Sequence, residues 1–291
     1  AFDGFASLQG NASADLFAFT GTGTVSGGVD GGGAADLLDY SASTPAATVN
    51  LNNSTATGIG TTFASIESML GSGTGDQLIG SNAGSTWTIS ADSNVDGFSF
   101  ADVATLTGGS GVDIFNVTAS NTDILTIGGG NGNDIFNLQA DTIAALNGDG
   151  GADTFAFIGT GNTSAGIDGG GAADLLDYSA STPAATVNLN NSTATGIGTT
   201  FAGIEGMLGS GAGDQFGERQ RSGECQASDR AGDAHPSRPS PQLGGQGPRC
   251  GVRDRVVDED RRARQGNRRP EADEHHERHD HRRDGELGPD R

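Results

Sequence analysis

The chain has 291 residues, of which 50 are glycine, and its formal net charge is −21 at pH 7. Only 33% of the residues are hydrophobic, so the composition predicts that an ordinary compact core does not form. The charges are unevenly distributed. Residues 1–218 contain 22 Asp and Glu but no Lys, Arg, His or Cys, whereas all 16 Arg occur from Arg219 onward.

The missing residue types exclude most catalytic chemistry from residues 1–218. Without His, Cys and Lys there is no Ser-His-Asp or Cys-His nucleophile, no thiolate zinc site and no Schiff-base lysine, so we expect no enzyme activity. Nucleic acids and anionic membranes are expected to be poor partners, because both are bound through Lys and Arg. No stretch approaches the ~20 apolar residues of a membrane-spanning helix, so we expect no membrane insertion. A divalent cation is the natural counter-charge.

A long internal repeat organises the first three-quarters of the chain. Residues 30–77 recur as residues 168–215, an offset of 138, and 45 of the 48 aligned positions are identical. The differences are Ser65/Gly203, Ser68/Gly206 and Thr74/Ala212. Residues 1–216 therefore hold about one and a half copies of a 138-residue unit. Because the chain opens on Ala1 rather than Met, we expect it to be a piece of a longer protein, with any export signal outside it.

A shorter motif, a glycine-rich turn that ends in Asp, occurs eight times within these residues. Two copies, residues 108–116 and 129–137, fit the nonapeptide G-G-x-G-x-D-x-U-x without a mismatch, where U is a large apolar residue. That nonapeptide is known as a calcium-binding repeat of parallel β-helices. The eight aspartates are Asp15, Asp36, Asp76, Asp113, Asp134, Asp153, Asp174 and Asp214.

The residues that flank these turns indicate short strands on both sides. The position two residues after each Asp and the position seven residues before it are apolar in all eight copies. Further apolar residues four after the Asp give the period-2 alternation of a strand. The motif aspartates recur at intervals of 19, 21, 37 and 40 residues, which suggests a coil of about 20 residues. Stacked coils predict an all-β fold, a parallel β-solenoid.

In this motif the chain resembles the RTX (repeats-in-toxin, haemolysin-type calcium-binding) family, which also occurs in large bacterial surface and adhesin-like proteins. The resemblance covers residues 1–216 and implies a β-roll-like solenoid that binds Ca²⁺. The best ligands that it implies are the Asp113 and Asp134 carboxylates, with the backbone carbonyls of the adjacent turns. The implied set is Asp113, Asp134, Gly109, Gly111, Gly130 and Gly132, then Asp153 and Asp174, and last Asp15, Asp36, Asp76 and Asp214.

Electrostatics gives an independent reason to expect calcium. Two carboxylates ~5 Å apart repel by roughly 1 kcal/mol even in water, and more in a lower dielectric. Residues 1–218 have no basic side chain that could compensate. Calcium accepts six to eight oxygen ligands, whereas magnesium holds its waters and demands a strict octahedron. We therefore expect the chain to be largely disordered without calcium and β-rich with it.

Residues 217–291 differ sharply from what precedes them. The second copy of the repeat breaks off near Phe216 into a sequence rich in Arg, His, Pro, Asp and Glu. One interpretation is a genuine disordered tail. The other, which we favour, is out-of-frame translation of a GC-rich gene, and the coding DNA near codon 216 decides between them. Under either interpretation we expect disorder, because this segment has too few apolar residues to offset its ordering entropy.

The leading functional expectation is a calcium-binding structural or adhesive segment of a large secreted or cell-surface bacterial protein, in which a host or matrix ligand is a possible further partner. Two alternatives stay open. One is the repeat module of a secreted enzyme whose catalytic domain lies outside this piece. The other is a glycan- or ice-binding solenoid face, which requires a flat ladder of Thr or aromatic residues on successive coils.

Overall fold

The computed structural model describes residues 5–73, 75–211 and 213–217. Nearly all of the expected tail, residues 218–291, lies outside the described residues. Within the described ranges the fold is all-β and contains no α-helix, and so no helix there is long and apolar enough to cross a membrane. The all-β prediction is confirmed.

The strands are short, because turns interrupt the chain at close intervals. Most contain two to four residues, and the two longest contain five. In chain order they are β1 (Leu8–Gln9), β2 (Leu16–Ala18), β3 (Val29–Asp30), β4 (Leu37–Asp39), β5 (Thr48–Asn50), β6 (Thr55–Ala56), β7 (Phe63–Ala64), β8 (Ser68–Leu70), β9 (Gln77–Ile79), β10 (Thr86–Ile89), β11 (Asn94–Val95), β12 (Phe98–Ala101), β13 (Thr105–Gly109), β14 (Ile114–Val117), β15 (Thr126–Gly130), β16 (Ile135–Leu138), β17 (Ala145–Asn147), β18 (Thr154–Phe157), β19 (Ile167–Asp168), β20 (Leu175–Asp177), β21 (Thr186–Asn188), β22 (Thr193–Ala194), β23 (Phe201–Ala202), β24 (Gly206–Leu208) and β25 (Gln215–Gly217).

Two long sheets contain most of these strands. The eleven-stranded sheet has the order β2-β4-β8-β12-β11-β10-β14-β16-β18-β20-β24, and the eight-stranded sheet has the order β23-β19-β17-β15-β13-β9-β5-β6. Two three-stranded sheets, β1-β3-β7 and β22-β21-β25, complete the fold. Between β13 and β20 the chain alternates regularly, with odd-numbered strands in the eight-stranded sheet and even-numbered strands in the eleven-stranded sheet. This alternation is compatible with the expected solenoid.

Pairing is mostly parallel, and antiparallel pairs occur at two kinds of place. Strands β10, β11 and β12 form an antiparallel meander inside the eleven-stranded sheet. The other antiparallel pairs are β5 with β6 and β21 with β22, which are equivalent hairpins in the two copies of the repeat. The meander and the hairpins explain why the motif intervals of 37 and 40 residues exceed a single coil.

The interior is a continuous row of apolar side chains that stack from strand to strand. Trp87, Phe115, Phe136 and Phe155 occupy one in-register row of the eleven-stranded sheet and are fully buried. Their rings stack with centroid separations of 5.4, 5.0 and 4.7 Å. The composition-based expectation about the core is therefore corrected: apolar residues are few, but alternation places them on one face of successive strands, where they form a core.

The flanking positions that indicated strands are nearly all interior. Among the residues two after each motif Asp, all are buried except Phe216, which is 42% exposed. Among those seven before it, all are buried except Leu8 and Met207, which are half-buried. All three exceptions lie in strands at the outer edge of a sheet, β25, β1 and β24.

Replacing Phe136 by alanine should destabilise the fold severely, because its ring is fully buried between Phe115 and Phe155. We expect a loss of ~3–5 kcal/mol in the free energy of unfolding, measured by urea titration with circular dichroism. Val112→Ala is the control, since Val112 is 54% exposed and the expected change is within ~0.5 kcal/mol. Equal losses in the two variants would contradict the stacked core.

Candidate metal site: a ladder of buried aspartates

The eight motif turns fall into two classes by the direction in which they cross between sheets. Six lead into the eleven-stranded sheet, where Asp15, Asp36, Asp113, Asp134, Asp153 and Asp174 directly precede β2, β4, β14, β16, β18 and β20. The other two lead out of it: Asp76 lies between β8 and β9, and Asp214 between β24 and β25. The structure therefore does not bring all eight aspartates into one column.

Four consecutive aspartates form a hydrogen-bonded ladder. The backbone N–H of Asp113 donates to Oδ1 of Asp134, that of Asp134 to Asp153, and that of Asp153 to Asp174, each at 2.7 Å. The Ser85 N–H donates to Asp113 Oδ1 at 2.7 Å and ends the ladder on one side. Each carboxylate thus has one oxygen held by the neighbouring coil, which partly offsets the repulsion expected between stacked charges.

Two glutamates extend the same arrangement and were missed in the sequence. Glu67 Oε2 accepts the Asp36 N–H at 2.9 Å, and Glu205 Oε2 accepts the Asp174 N–H at 3.0 Å. Neither follows a glycine-rich turn, so the motif search does not find them. A signal was present nevertheless, because an apolar residue stands two positions after each, Met69 and Met207, as after every motif Asp.

The eight aspartates also differ in whether their second carboxylate oxygen, Oδ2, has a hydrogen-bond partner. Oδ2 is buried and has no hydrogen-bond partner in five of them, and a buried acceptor without a partner costs ~1–3 kcal/mol, or more when it is charged. The other three have local donors to Oδ2: Asn11 for Asp15 (2.8 Å), Ser72 for Asp76 and Gly211 for Asp214 (3.2 Å). The five aspartates with an unpaired Oδ2 are Asp36, Asp113, Asp134, Asp153 and Asp174.

The first glycine of each turn provides the space that Oδ2 occupies. A Cβ added at Gly129 would lie closer than 3.0 Å both to Asp134 Oδ2 and to the carbonyl oxygen of Gly148 in the next coil. The same holds at Gly148 for Asp153 Oδ2 and the Gly169 carbonyl. At both of these turns an unpaired carboxylate oxygen and a backbone carbonyl oxygen therefore approach one point.

The four glycine carbonyls implied as ligands lie in two stacked turns. The Gly109 oxygen accepts the Asn131 N–H at 2.9 Å, and the Gly130 oxygen accepts the Gly150 N–H at 2.8 Å. Gly132, at a φ of 137°, stacks so closely on the Gly111 carbonyl that a Cβ would collide with it. These backbone hydrogen bonds and close contacts thus hold the successive turns in register.

The environment of the ladder raises the pKa of its carboxyl groups. Burial raises the pKa of Asp113 to about 6 and that of Asp153 to about 7, and neighbouring carboxylates add to both effects. Burial also raises the pKa values of Asp134 and Asp174. At Asp113 the hydrogen bond from the Ser85 N–H opposes the increase. Keeping these four carboxylates charged at neutral pH therefore costs free energy.

Asp214 lies in a different environment. Burial would raise its pKa, but hydrogen bonds from Ala185, Ser210 and Gly211 outweigh that effect, so the pKa is lowered. The unpaired Oδ2 atoms single out the four ladder aspartates and Asp36, whereas Asp76 and Asp214 have local donors to Oδ2.

The donor set fits a hard cation but is not a ready-made cluster of side chains. Among the described residues, no three His, Cys, Asp or Glu side chains converge closely enough to hold a metal ion. A bound cation would therefore need backbone carbonyls in addition to carboxylates. Since every available donor is oxygen, the chemistry suits Ca²⁺ rather than a metal that prefers nitrogen or sulfur.

No protein-family model matches the chain, and no curated protein matches it. The geometry of the turns and the two perfect nonapeptides are therefore the features that point to a metal site.

The raised pKa values predict an unusual pH dependence for the metal-free protein. The folded ladder binds protons more tightly than unfolded Asp, whose pKa is about 3.9, so this stabilisation is present at low pH and lost as the pH rises through 6 to 7. In a chelator, the folded fraction measured by circular dichroism should be larger at pH 5 than at pH 8.

Asp134→Asn removes one buried charge and should reduce that difference, whereas Asp92→Asn, at an exposed position, should leave it unchanged. Greater stability at pH 8 than at pH 5 in chelator would contradict this account.

The variant Gly129→Ala tests whether Oδ2 needs the space left by the first glycine of the turn. It places a methyl group against Asp134 Oδ2 and the Gly148 carbonyl. We expect a loss of ~1–3 kcal/mol in the free energy of unfolding, because overpacking displaces backbone and carboxylate. Gly33→Ala is the matched control in another motif turn, where the nearest atom to the added Cβ is 3.7 Å away. If both variants unfold at the same denaturant concentration, the position of the Asp134 carboxylate does not depend on the space left by Gly129.

Proposed function

We propose that residues 1–216 form a calcium-stabilised parallel β-solenoid that serves as a structural or adhesive repeat segment of a large secreted or cell-surface bacterial protein. The observation that carries the proposal is the set of five buried carboxylates whose Oδ2 atoms have no partner. The bacterial and cell-surface parts of the proposal rest on the resemblance to RTX repeats.

Charge neutralisation is the first argument. The four aspartates from Asp113 to Asp174 bury four carboxyl groups in consecutive coils, and residues 1–218 contain no Lys, Arg or His to pair with them. An unpaired buried charge either takes up a proton or binds a cation. Outside cells, at neutral pH and millimolar calcium, a cation that accepts several oxygen ligands can offset the buried negative charge. The carboxylates then need not take up protons.

The sheet topology supports the solenoid. Strand β14 pairs with β16, β16 with β18, and β18 with β20, all parallel and without a change of register. The eight-stranded sheet repeats the pattern through β13, β15, β17 and β19. Each turn therefore lies directly over the equivalent turn of the next coil, so a cation bound at one turn would also contact its neighbour.

The consequence for function is mechanical. Each cation that binds only the folded coils would add ~2.7 kcal/mol to stability at 100 times its dissociation constant. A repeat fold in which each unit contacts only its neighbours is stabilised locally by such ions along its whole length. A calcium-stiffened stalk outside the cell, and a flexible chain inside it, follow from the same chemistry.

Calcium titration monitored by tryptophan fluorescence tests the proposal. Trp87 is the only tryptophan, is fully buried, and stacks at 5.4 Å on Phe115, whose strand β14 begins directly after Asp113. We expect a saturable fluorescence change with Ca²⁺, heat in calorimetry, and a much weaker response to Mg²⁺. Chelation should reduce the β signal in circular dichroism.

The variant Asp113→Asn should abolish or strongly weaken the Trp87 response, while Asp92→Asn should retain it. If Ca²⁺ gives no heat of binding and chelation leaves the β spectrum unchanged, the calcium part of the proposal is wrong.

A further inference from the structure

Seven asparagines in residues 1–216 begin a triplet N-x-S or N-x-T, which is the acceptor sequence for N-linked glycosylation. Such triplets arise easily in a chain rich in Asn, Ser and Thr, so the sequence alone does not single one out. The structure does, because the seven side-chain amides are held in different ways. The seven are Asn11, Asn52, Asn53, Asn116, Asn162, Asn190 and Asn191.

Three of these amides already donate a hydrogen bond through Nδ2. Asn116, in β14, is held on both sides: its Nδ2 donates to the Trp87 carbonyl at 3.3 Å, and its Oδ1 accepts from Asn137 at 2.9 Å. A nitrogen engaged in this way has to break its contact before it can react. The other two donate to carboxylates, Asn11 to Asp15 at 3.4 Å and Asn162 to Asp141 at 2.6 Å.

Asn53 is held differently, at the tip of the hairpin that joins β5 to β6. It is exposed, and the hydroxyl of Thr55 donates to its Oδ1 at 2.6 Å. Since the amide is planar, a bond that fixes Oδ1 against the hairpin directs Nδ2 to the opposite side. Within the described residues this Nδ2 makes no hydrogen bond. Asn53 thus combines an exposed, uncommitted nitrogen with the hydroxyl that the acceptor triplet requires.

The tip of this hairpin has a defined conformation. Ser54 has a φ of 54°, and its carbonyl accepts the Phe63 N–H at 2.7 Å. The Asn82 N–H donates to Asn52 Oδ1 at 3.1 Å. Asn53 remains exposed although described segments contact the residues on both sides of it. Its exposure therefore belongs to the interior of the described chain and not to one of its ends.

The second copy of the repeat builds the same contact. The Thr193 hydroxyl donates to Asn191 Oδ1 at 2.8 Å, and Ser192 has a φ of 55°. The hairpin of β21 and β22 has different neighbours in the sheets from that of β5 and β6. The recurrence indicates that the local sequence N-S-T itself sets the orientation of the amide.

We propose that Asn53 is an N-glycosylation site. The co-substrate is a sugar activated as a glycosyl phosphate, and a separate transferase catalyses the step. A bond forms between Asn53 Nδ2 and the anomeric carbon, while the bond from that carbon to the phosphate oxygen breaks and its electrons leave with the phosphate. One proton passes from Nδ2 to a base of the transferase. A glycan is bulky and solubilising, as suits an exposed hairpin tip. None of the proposed cation ligands takes part.

Glycosyl transfer to the folded full chain tests the proposal. One arm uses a soluble asparagine glycosyltransferase with UDP-glucose, the other a membrane-bound oligosaccharyltransferase with a lipid-linked oligosaccharide, and the added mass distinguishes the two donors. Cleavage after Asp and Glu releases residues 40–67, which Ser65 distinguishes by mass from residues 178–205 with Gly203. We expect transfer to Asn53 to be at least ~tenfold faster than transfer to Asn116.

The variant Thr55→Ala should abolish transfer to Asn53, and Thr55→Ser should restore it, since serine keeps the hydroxyl. The isolated peptide 114–123 should be accepted at Asn116, which shows that this triplet is competent once its contacts are lost. The comparison is made on chains whose β signal circular dichroism has confirmed, so it does not depend on calcium binding. Absence of transfer to Asn53 in both arms, or equal rates at Asn53 and Asn116 in the folded chain, would overturn the proposal.

Discussion

The fold depends on one contact, the hydrogen bond from a backbone N–H of one coil to the carboxylate of the next. It recurs at 2.7 Å from Asp113 to Asp174 and fixes the vertical register of the turns. The same contact draws each carboxylate out of water, so one oxygen is satisfied and the other is left buried. The register of the turns and the electrostatic cost of the buried carboxylates therefore have a single origin, which is this hydrogen bond. A chain that contains it needs a way to neutralise the buried negative charge.

Strand alternation explains why these aspartates are buried at all. Residues two apart on a strand face the same side, so the Asp that precedes each strand points inward together with the apolar residue two positions later. Asp134 and Phe136 follow this rule, and both are fully buried. The aromatic row that supplies the hydrophobic core thus fixes the carboxylate row beside it. Glycine at the start of the turn is then the one residue that leaves space for Oδ2.

Much of this could be predicted from the sequence, because the apolar positions around each Asp have the period of a strand. The all-β class and the inward-facing residues follow from that pattern. The direction of the turns at Asp76 and Asp214 does not follow, since their glycine-rich sequence looks like that of the other six. Each of these two turns follows an antiparallel hairpin, β5 with β6 before Asp76 and β21 with β22 before Asp214, which the glycine-rich turn sequence itself does not reveal. Glu67 was missed for a related reason: it takes the place of the ladder Asp without the glycines.

The residue after the first glycine separates the turns that satisfy their own carboxylate from those that do not. Asn11 and Ser72 donate their backbone N–H to Oδ2 of the Asp four residues later. In four of the five turns with an unpaired Oδ2 this residue has a positive φ, at Gly32, Gly130, Asp149 and Gly170. A left-handed conformation turns that peptide away from the carboxylate, so the N–H is no longer available. In these four turns no backbone N–H of the turn therefore pairs with Oδ2. Four of the five turns with an unpaired Oδ2 begin with two glycines and the fifth with Gly148 and Asp149, whereas the three turns with a paired Oδ2 have Asn or Ser after the first glycine.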